Sequence, residues 1–156
     1  FCRKDVNVEG VLLSLAIWDT AGAERYQAMS SMYYRNAKAA VICFDLADAS
    51  SFDKADYWVN QILINEPNCK IYLCGTKLDL IEDDIEERGV SMESVEKYAK
   101  GRNAEVFETS SKTGTNVGEL FERISRTFLK NSDLLPGNRS GLKLSASDGV
   151  TKSSCC

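Results

Sequence analysis

Three short polar segments each follow an apolar, strand-like run, and they hold the residues best suited to chemistry. The first is Asp19–Gly22, the second Gly75–Asp79 and the third Ser110–Lys112. Strand-like runs that alternate with helical patterns predict an α/β fold with a mostly parallel sheet. In such sheets ligands bind beyond the carboxyl ends of the strands, so the three segments are expected at one site.

The side chains of these segments suit a phosphate, a divalent cation and a purine base. The Asp19 carboxylate is placed for a magnesium ion, and Gly22 offers a backbone N–H that no side chain shields from a phosphate oxygen. Asp79 can accept two parallel hydrogen bonds, which guanine offers at N1 and N2 and adenine does not. The stem of Lys77 can lie along a ring face, and a backbone N–H of Ser110–Lys112 can meet the base oxygen. Each pattern alone is common; the prediction rests on their order and their positions at strand ends.

Hydrophobic spacing predicts the elements that must position these segments. An antiparallel hairpin is predicted from Phe1–Val8 and Val11–Trp18, joined by a turn at Glu9-Gly10. Buried strands are predicted over Ala39–Leu46, Lys70–Gly75 and Glu105–Thr109. Helices are predicted over Ser50–Asn65, Ser91–Arg102 and Asn116–Leu129. We expect Ser50 or Ser51 to cap the first helix, and Asn116 with Glu119 to form a capping box at the last.

Composition narrows the class of protein. The 156 residues are 44% hydrophobic and 27% charged, with a net charge of −4 and no histidine. The hydrophobic fraction is sufficient for one folded domain. The missing histidine excludes imidazole acid–base chemistry and His-containing triads. The acidic balance argues against a nucleic-acid-binding face. Because Phe1 opens the chain without a Met or signal peptide, we expect it to begin inside a longer protein.

The cysteines and the C-terminal segment carry a second set of expectations. Cys43 and Cys74 lie in apolar runs, where a free thiol acts as a small hydrophobe, and no spacing suits a zinc site. Residues 131–156 are polar and are predicted to form a disordered tail after a domain at 1–130. The terminal Cys155-Cys156 pair suits prenylation, or it simply ends a frayed tail; the residues alone leave both open.

With these motifs in place, the chain resembles a small GTPase of the Ras superfamily, and within it the Rab family, over roughly residues 1–130. Trp18–Gly22 matches the Trp-Asp-Thr-Ala-Gly box, Thr76–Asp79 the Asn-Lys-x-Asp box with Thr for Asn, and Glu108–Lys112 the Glu-Thr-Ser-Ala-Lys box. Arg25-Tyr26 and Tyr33–Ala37 resemble the second switch of Rab proteins, and the paired cysteines resemble a double-geranylgeranylation signal.

The resemblance implies a P-loop NTPase-type α/β fold and a GTP-binding switch of vesicle traffic, with GTP or GDP and Mg²⁺ as cofactors. Implied nucleotide-binding residues are Asp19, Gly22, Thr76, Lys77, Asp79, Ser110, Ser111 and Lys112. Asp19 would reach Mg²⁺ through a water molecule, and Tyr26, Met29 and Tyr33 would contact effectors. Implied partners are an exchange factor, effectors, a prenyltransferase escort and a dissociation inhibitor. Cys155 and Cys156 would carry lipid, which anchors the protein to the cytoplasmic face of endosomal or autophagic membranes, with a cytosolic pool.

The chain departs from the family in three places. Ala23 stands where the family has the Gln that orients the attacking water, so hydrolysis should be slow and no catalytic side chain is assigned. Thr76 replaces the bracing Asn, so nucleotide affinity should be weaker. No Gly-x-x-x-x-Gly-Lys-Ser/Thr loop occurs, and in the family that loop and a central sheet strand precede the strand that contains Phe1.

Two interpretations remain open at this point. The chain is an incomplete record of a competent GTPase or a genuine truncated product, and we expect residues 1–156 alone neither to fold well nor to hold GTP. The alternative function is a pseudo-GTPase module that holds partners through Tyr26–Arg35 without nucleotide cycling.

Overall fold

The computed structural model describes residues 2–20 and 34–132. Strand β1 (Cys2–Val8) pairs antiparallel with β2 (Val11–Ile17), with Val8 opposite Val11. The two residues between them, Glu9 and Gly10, both have positive φ, at 53° and 81°. Two such residues form the tight turn whose twist matches that of the flanking strands, so the predicted hairpin is confirmed.

A parallel sheet is built from β3 (Ala39–Asp45), β4 (Lys70–Thr76) and β5 (Glu105–Glu108), in that spatial order. The register sets Asp45 beside Thr76 and Gly75 beside Glu108. The three strands therefore end at one edge, as an α/β fold with a mostly parallel sheet requires. Over residues 2–20 and 34–132 the hairpin and this sheet share no strand pairing.

Helices cover both faces of the parallel sheet. They are α1 (Ala49–Asn65), α2 (Leu78–Glu82), α3 (Met92–Lys100) and α4 (Val117–Asn131). On one face α1 and α3 pack Val59 and Val95 into a cluster with Ile71 and Leu73 of β4. On the other face Leu120 and Ile124 of α4 pack against Tyr72 and Cys74, so alternate residues of β4 enter different cores. No helix of the described residues is long and apolar enough to span a membrane.

The predicted cap of α1 was wrong, and at α4 Asn116 is the N-cap residue as predicted but forms no capping box; both departures have the same physical reason. The N-cap of α1 is Asp48, whose carboxylate accepts the Ser50 N–H at 2.9 Å. The amide of Asn116 makes no cap bond but donates to the Glu108 carbonyl at 2.8 Å, and Asn116 itself has a φ of 59°. In each case a polar group outside the expected pattern offered a competing hydrogen bond.

Two further expectations need correction. Hydrophobic spacing predicted no helix directly after β4, yet Leu78–Glu82 forms one; five residues are too few to show helical periodicity. Cys74 is buried as expected, whereas Cys43 on β3 is exposed.

Gly89 tests the close packing of the loop before α3. A Cβ at this position would lie 2.3 Å from the Ala47 carbonyl oxygen, whereas a Cβ at Gly118 meets nothing within 4 Å. We expect Gly89→Ala to lower the free energy of unfolding by about 1–3 kcal/mol, since the backbone must shift. Gly118→Ala, inside α4, should raise it by up to about 1 kcal/mol. Urea denaturation of the protein expressed from its complete coding sequence measures both; equal effects would contradict the crowding at Gly89.

Candidate functional site

The site begins at a sharp turn after β4. Lys77 has a left-handed backbone conformation, with φ 63° and ψ 34°, and the next residue opens α2. This turn places Asp79 in the first turn of α2, at the carboxyl edge of the sheet. Residues other than glycine rarely adopt this backbone conformation unless the surrounding structure stabilises it, and such residues are concentrated at functional sites.

Asp79 joins the second and third segments. Its side chain is buried, accepts the Ser110 hydroxyl at 2.5 Å and lies 3.5 Å from the Lys112 ammonium. The hydrogen bond from Ser110 is the main cause that lowers the pKa of Asp79, against the opposing effect of burial, and Lys112 adds to it. The carboxylate is therefore ionised and held in one orientation.

Backbone hydrogen bonds hold the same junction. The Leu78 N–H donates to the Thr109 carbonyl at 3.0 Å, and the Thr109 N–H donates to the Gly75 carbonyl at 2.7 Å. The loop after β5 folds tightly on Ser110, whose carbonyl accepts the Gly114 N–H at 2.9 Å. Ser110 is fully buried, while Ser111 and Lys112 are exposed at the loop surface. Of the three segments expected at one site, the second and the third thus come together.

Lys77 and Thr76 are held by β3. The Lys77 ammonium lies 2.6 Å from the Asp45 carboxylate, and this hydrogen bond is the main cause that raises the pKa of Lys77. The Thr76 hydroxyl donates to the Phe44 carbonyl at 2.9 Å, so it braces two strand ends. Asp45 was not predicted from the sequence, although it carries the same signal as Asp19, an acidic residue at the end of an apolar strand.

Asp19 stands apart from this junction. It follows β2 and is exposed. The pKa of the Cys43 thiol is raised chiefly by a hydrogen bond with the Cys74 side chain, and the charge of Asp19 adds to this effect. Asp19 is therefore within electrostatic range of β3. Over residues 2–20 and 34–132 no group of three or more His, Cys, Asp or Glu side chains could hold a metal ion. A single carboxylate such as that of Asp19 can fill only one position of the octahedral shell that Mg²⁺ requires.

The remaining predicted site residues lie outside the described part of the chain. They are Gly22, Ala23, Tyr26, Met29, Tyr33, Cys155 and Cys156. A cavity of about 620 Å³ lies away from the junction, between β5 and α4. Its wall carries Arg123 and Arg126, both already paired with carboxylates of the chain, so we place the site at the strand ends instead.

These features define an α/β protein with an ordered, ionised site at the carboxyl ends of parallel strands. The sequence matches the profile of the Ras family over residues 1–130. It is 46% identical to the Ras-related protein Rab-24 of Dictyostelium discoideum over 134 residues, which cover 85% of this chain and 65% of that protein. It is 38% identical to the Ras-related protein RABF2a of Arabidopsis thaliana over 160 residues, which cover 100% of this chain and 76% of that relative.

The chain belongs to the Ras family and, within it, to the Rab small GTPases. It spans about two thirds of the length of the Rab-24 relative, at 65%.

Ser110 and Ser111 provide a matched test of the junction. Ser110→Ala removes the main cause of the lowered pKa of Asp79, so that pKa should rise, whereas Ser111→Ala should leave it in place. Because the pKa of Asp79 is lowered on folding, its contribution to stability is present above the unfolded pKa and is lost as pH falls through the lowered value. Carbon-13 NMR titration of the Asp79 carboxyl measures the shift; an unchanged pKa in Ser110→Ala would refute the hydrogen-bond assignment.

Proposed function

We propose that the chain forms the base-recognising side of a Rab-type, GTP-dependent switch in intracellular vesicle traffic. The observation that carries this proposal is the fixed Asp79 carboxylate, held between Ser110 and Lys112. An ionised carboxylate accepts hydrogen bonds only, and guanine presents two adjacent donors at N1 and N2. Adenine lacks this pair, so the site favours guanine nucleotides.

Lys77 supplies the second recognition element. Its ammonium is held by Asp45 while more than half of the side-chain surface stays exposed, at 55%. An aliphatic stem that is fixed at its charged end can lie along the face of a purine ring. Thr76 keeps its hydroxyl on the Phe44 carbonyl, and a single hydroxyl braces fewer groups than the amide of Asn. We therefore propose binding of GTP and GDP with reduced affinity.

The phosphate side and the rate of turnover are proposed from the sequence. Asp19 would hold Mg²⁺ through water and Gly22 would meet a phosphate oxygen; the ion would neutralise phosphate charge. Ala23 can neither donate nor accept a hydrogen bond from its side chain, so hydrolysis is proposed to be slow. Ala23 and Thr76 together resemble the Rab branch of endosomal and autophagic membranes.

Membrane attachment and partners follow the same proposal. Two adjacent lipidated thiols, Cys155 and Cys156, would give stable anchoring where a single chain is marginal. Tyr26, Met29 and Tyr33 would meet effectors, and an exchange factor, an escort for prenylation and a dissociation inhibitor would complete the cycle. The protein would divide between the cytoplasmic face of these membranes and the cytosol.

Asp79→Asn tests the base assignment. The amide oxygen can still accept the Ser110 proton, but the amide nitrogen now donates, so it faces the guanine amino group with the wrong polarity. We expect GDP affinity to fall by about 10- to 100-fold and affinity for xanthosine diphosphate, whose C2 carries an oxygen, to rise.

Asp83→Asn is the matched control, since it makes the same change of charge at the exposed C-cap of α2. The assignment would be contradicted if Asp79→Asn and Asp83→Asn had the same affinity for GDP and the same affinity for xanthosine diphosphate.

The nucleotide content of the purified protein, expressed from its complete coding sequence, distinguishes the switch from the partner-binding module. About one guanine nucleotide per chain supports a switch, and none supports a partner-binding module.

A further inference from the structure

Arg88 and Glu108, two residues outside the proposed contacts with the base, tie together the segments that carry those contacts. We infer that this ion pair, which we call the clamp, positions Asp79 and the Ser110–Lys112 segment and thereby slows nucleotide release. The inference rests on the proposed function and deepens it, because it assigns positioning residues to the same site.

The clamp has the geometry of a strong ion pair. The two guanidinium nitrogens of Arg88 lie 2.6 Å and 3.0 Å from the two carboxylate oxygens of Glu108. The side chains are 31% and 14% exposed, so the pair is only partly open to solvent. Exposed ion pairs contribute little in general, but a two-pronged Arg–carboxylate pair in a sheltered place fixes both partners in direction and distance.

Glu108 sits on the segment that carries the third motif. It is the last residue of β5, two positions before Ser110. Its carbonyl accepts the Asn116 amide at 2.8 Å, so both ends of the 109–115 loop are fastened near it. An interaction that fixes the position of Glu108 therefore also restrains Ser110 and Lys112.

Arg88 sits on the segment that follows Asp79. Upstream, the Ile85 and Glu86 N–H groups donate to the Leu80 carbonyl of α2, at 2.9 Å and 3.0 Å. Downstream, the Gly89 and Val90 N–H groups donate to the Leu46 carbonyl, at 2.9 Å and 3.1 Å. Because both flanks are fastened, the Arg88 side chain projects from a backbone with little freedom.

Two side-chain links therefore join the same two segments. The inner one, from Ser110 to Asp79, includes a residue proposed to contact the base, and the outer one, from Arg88 to Glu108, includes none. Without the outer link, the 109–112 segment is held to α2 by the Ser110 hydroxyl, the exposed Lys112 and the Leu78 N–H. A looser junction costs more to order around a bound base, and such a cost appears mainly in the rate of dissociation.

Dissociation of a fluorescent GDP from the protein expressed from its complete coding sequence measures the effect. Arg88→Gln and Glu108→Gln should each raise the dissociation rate about 5- to 10-fold, a change of roughly 1–1.4 kcal/mol by the tenfold-per-1.4 kcal/mol relation. The double variant should be no faster than the singles, because both remove one interaction. Arg88→Lys keeps the charge but loses the two-pronged contact of the guanidinium group, so its dissociation rate should lie between those of wild type and Arg88→Gln. Arg88→Lys replaces Arg88→Gln if the latter does not fold.

Arg123→Gln, on α4, is the matched control, because its partner Glu105 lies on the same strand as Glu108. Arg123 lies 2.6 Å from Glu105 at the start of β5, so the control removes a similar ion pair from the far end of the strand. It should leave the dissociation rate within about twofold of wild type. If Arg88→Gln and Arg123→Gln release GDP at the same rate, the clamp is refuted. Failure of the proposed function has a different signature, since Asp79→Asn would then bind GDP as wild type does.

Discussion

The hydrogen bond from Ser110 to Asp79 is the interaction on which the site depends. A carboxylate that is 5% exposed is costly to bury unless its oxygens find donors, and Ser110 together with Lys112 provides them. Ser110 is itself fully buried, and its hydroxyl proton would also be costly to leave without an acceptor, although less so than the charge. Each group therefore requires the other, and their bond fastens the end of β4 to the end of β5 although 31 residues of chain separate them.

The parallel sheet makes that meeting possible. Gly75 of β4 lies beside Glu108 of β5, so the residues that follow each strand emerge next to each other at the same edge. The left-handed turn at Lys77 then brings the chain into α2 instead of away from the sheet. Local conformation, strand register and burial agree on one arrangement, and that agreement is what makes a site well ordered before its ligand binds.

The elements with a clear period were predictable, and those fixed by distant partners were not. The hairpin, the three parallel strands and the three long helices each carry a hydrophobic pattern, and all six segments of the sheet and its covering helices appear close to their predicted bounds. Asp48 rather than Ser50 caps α1, and Asn116 turns to Glu108, because short polar side chains choose among several nearby backbone groups. Lys77 pairs with Asp45, 32 positions away in the sequence, and Arg88 pairs with Glu108, 20 positions away. No local sequence pattern encodes such contacts.

Three charges at the site are neutralised within the chain before any ligand arrives. Asp79 is paired with Lys112, Lys77 with Asp45 and Arg88 with Glu108. In the proposed function, a base that enters such a site meets side chains whose direction is already set, so binding costs little reorganisation. Of these side chains, Asp79 and Lys77 carry the contacts proposed for the base, while Arg88 and Glu108 hold their segments from outside those contacts. In the proposed switch, the residues assigned to the base are therefore distinct from position 23, which is assigned to hydrolysis, so a change at that position leaves the junction of β4 and β5 as it is.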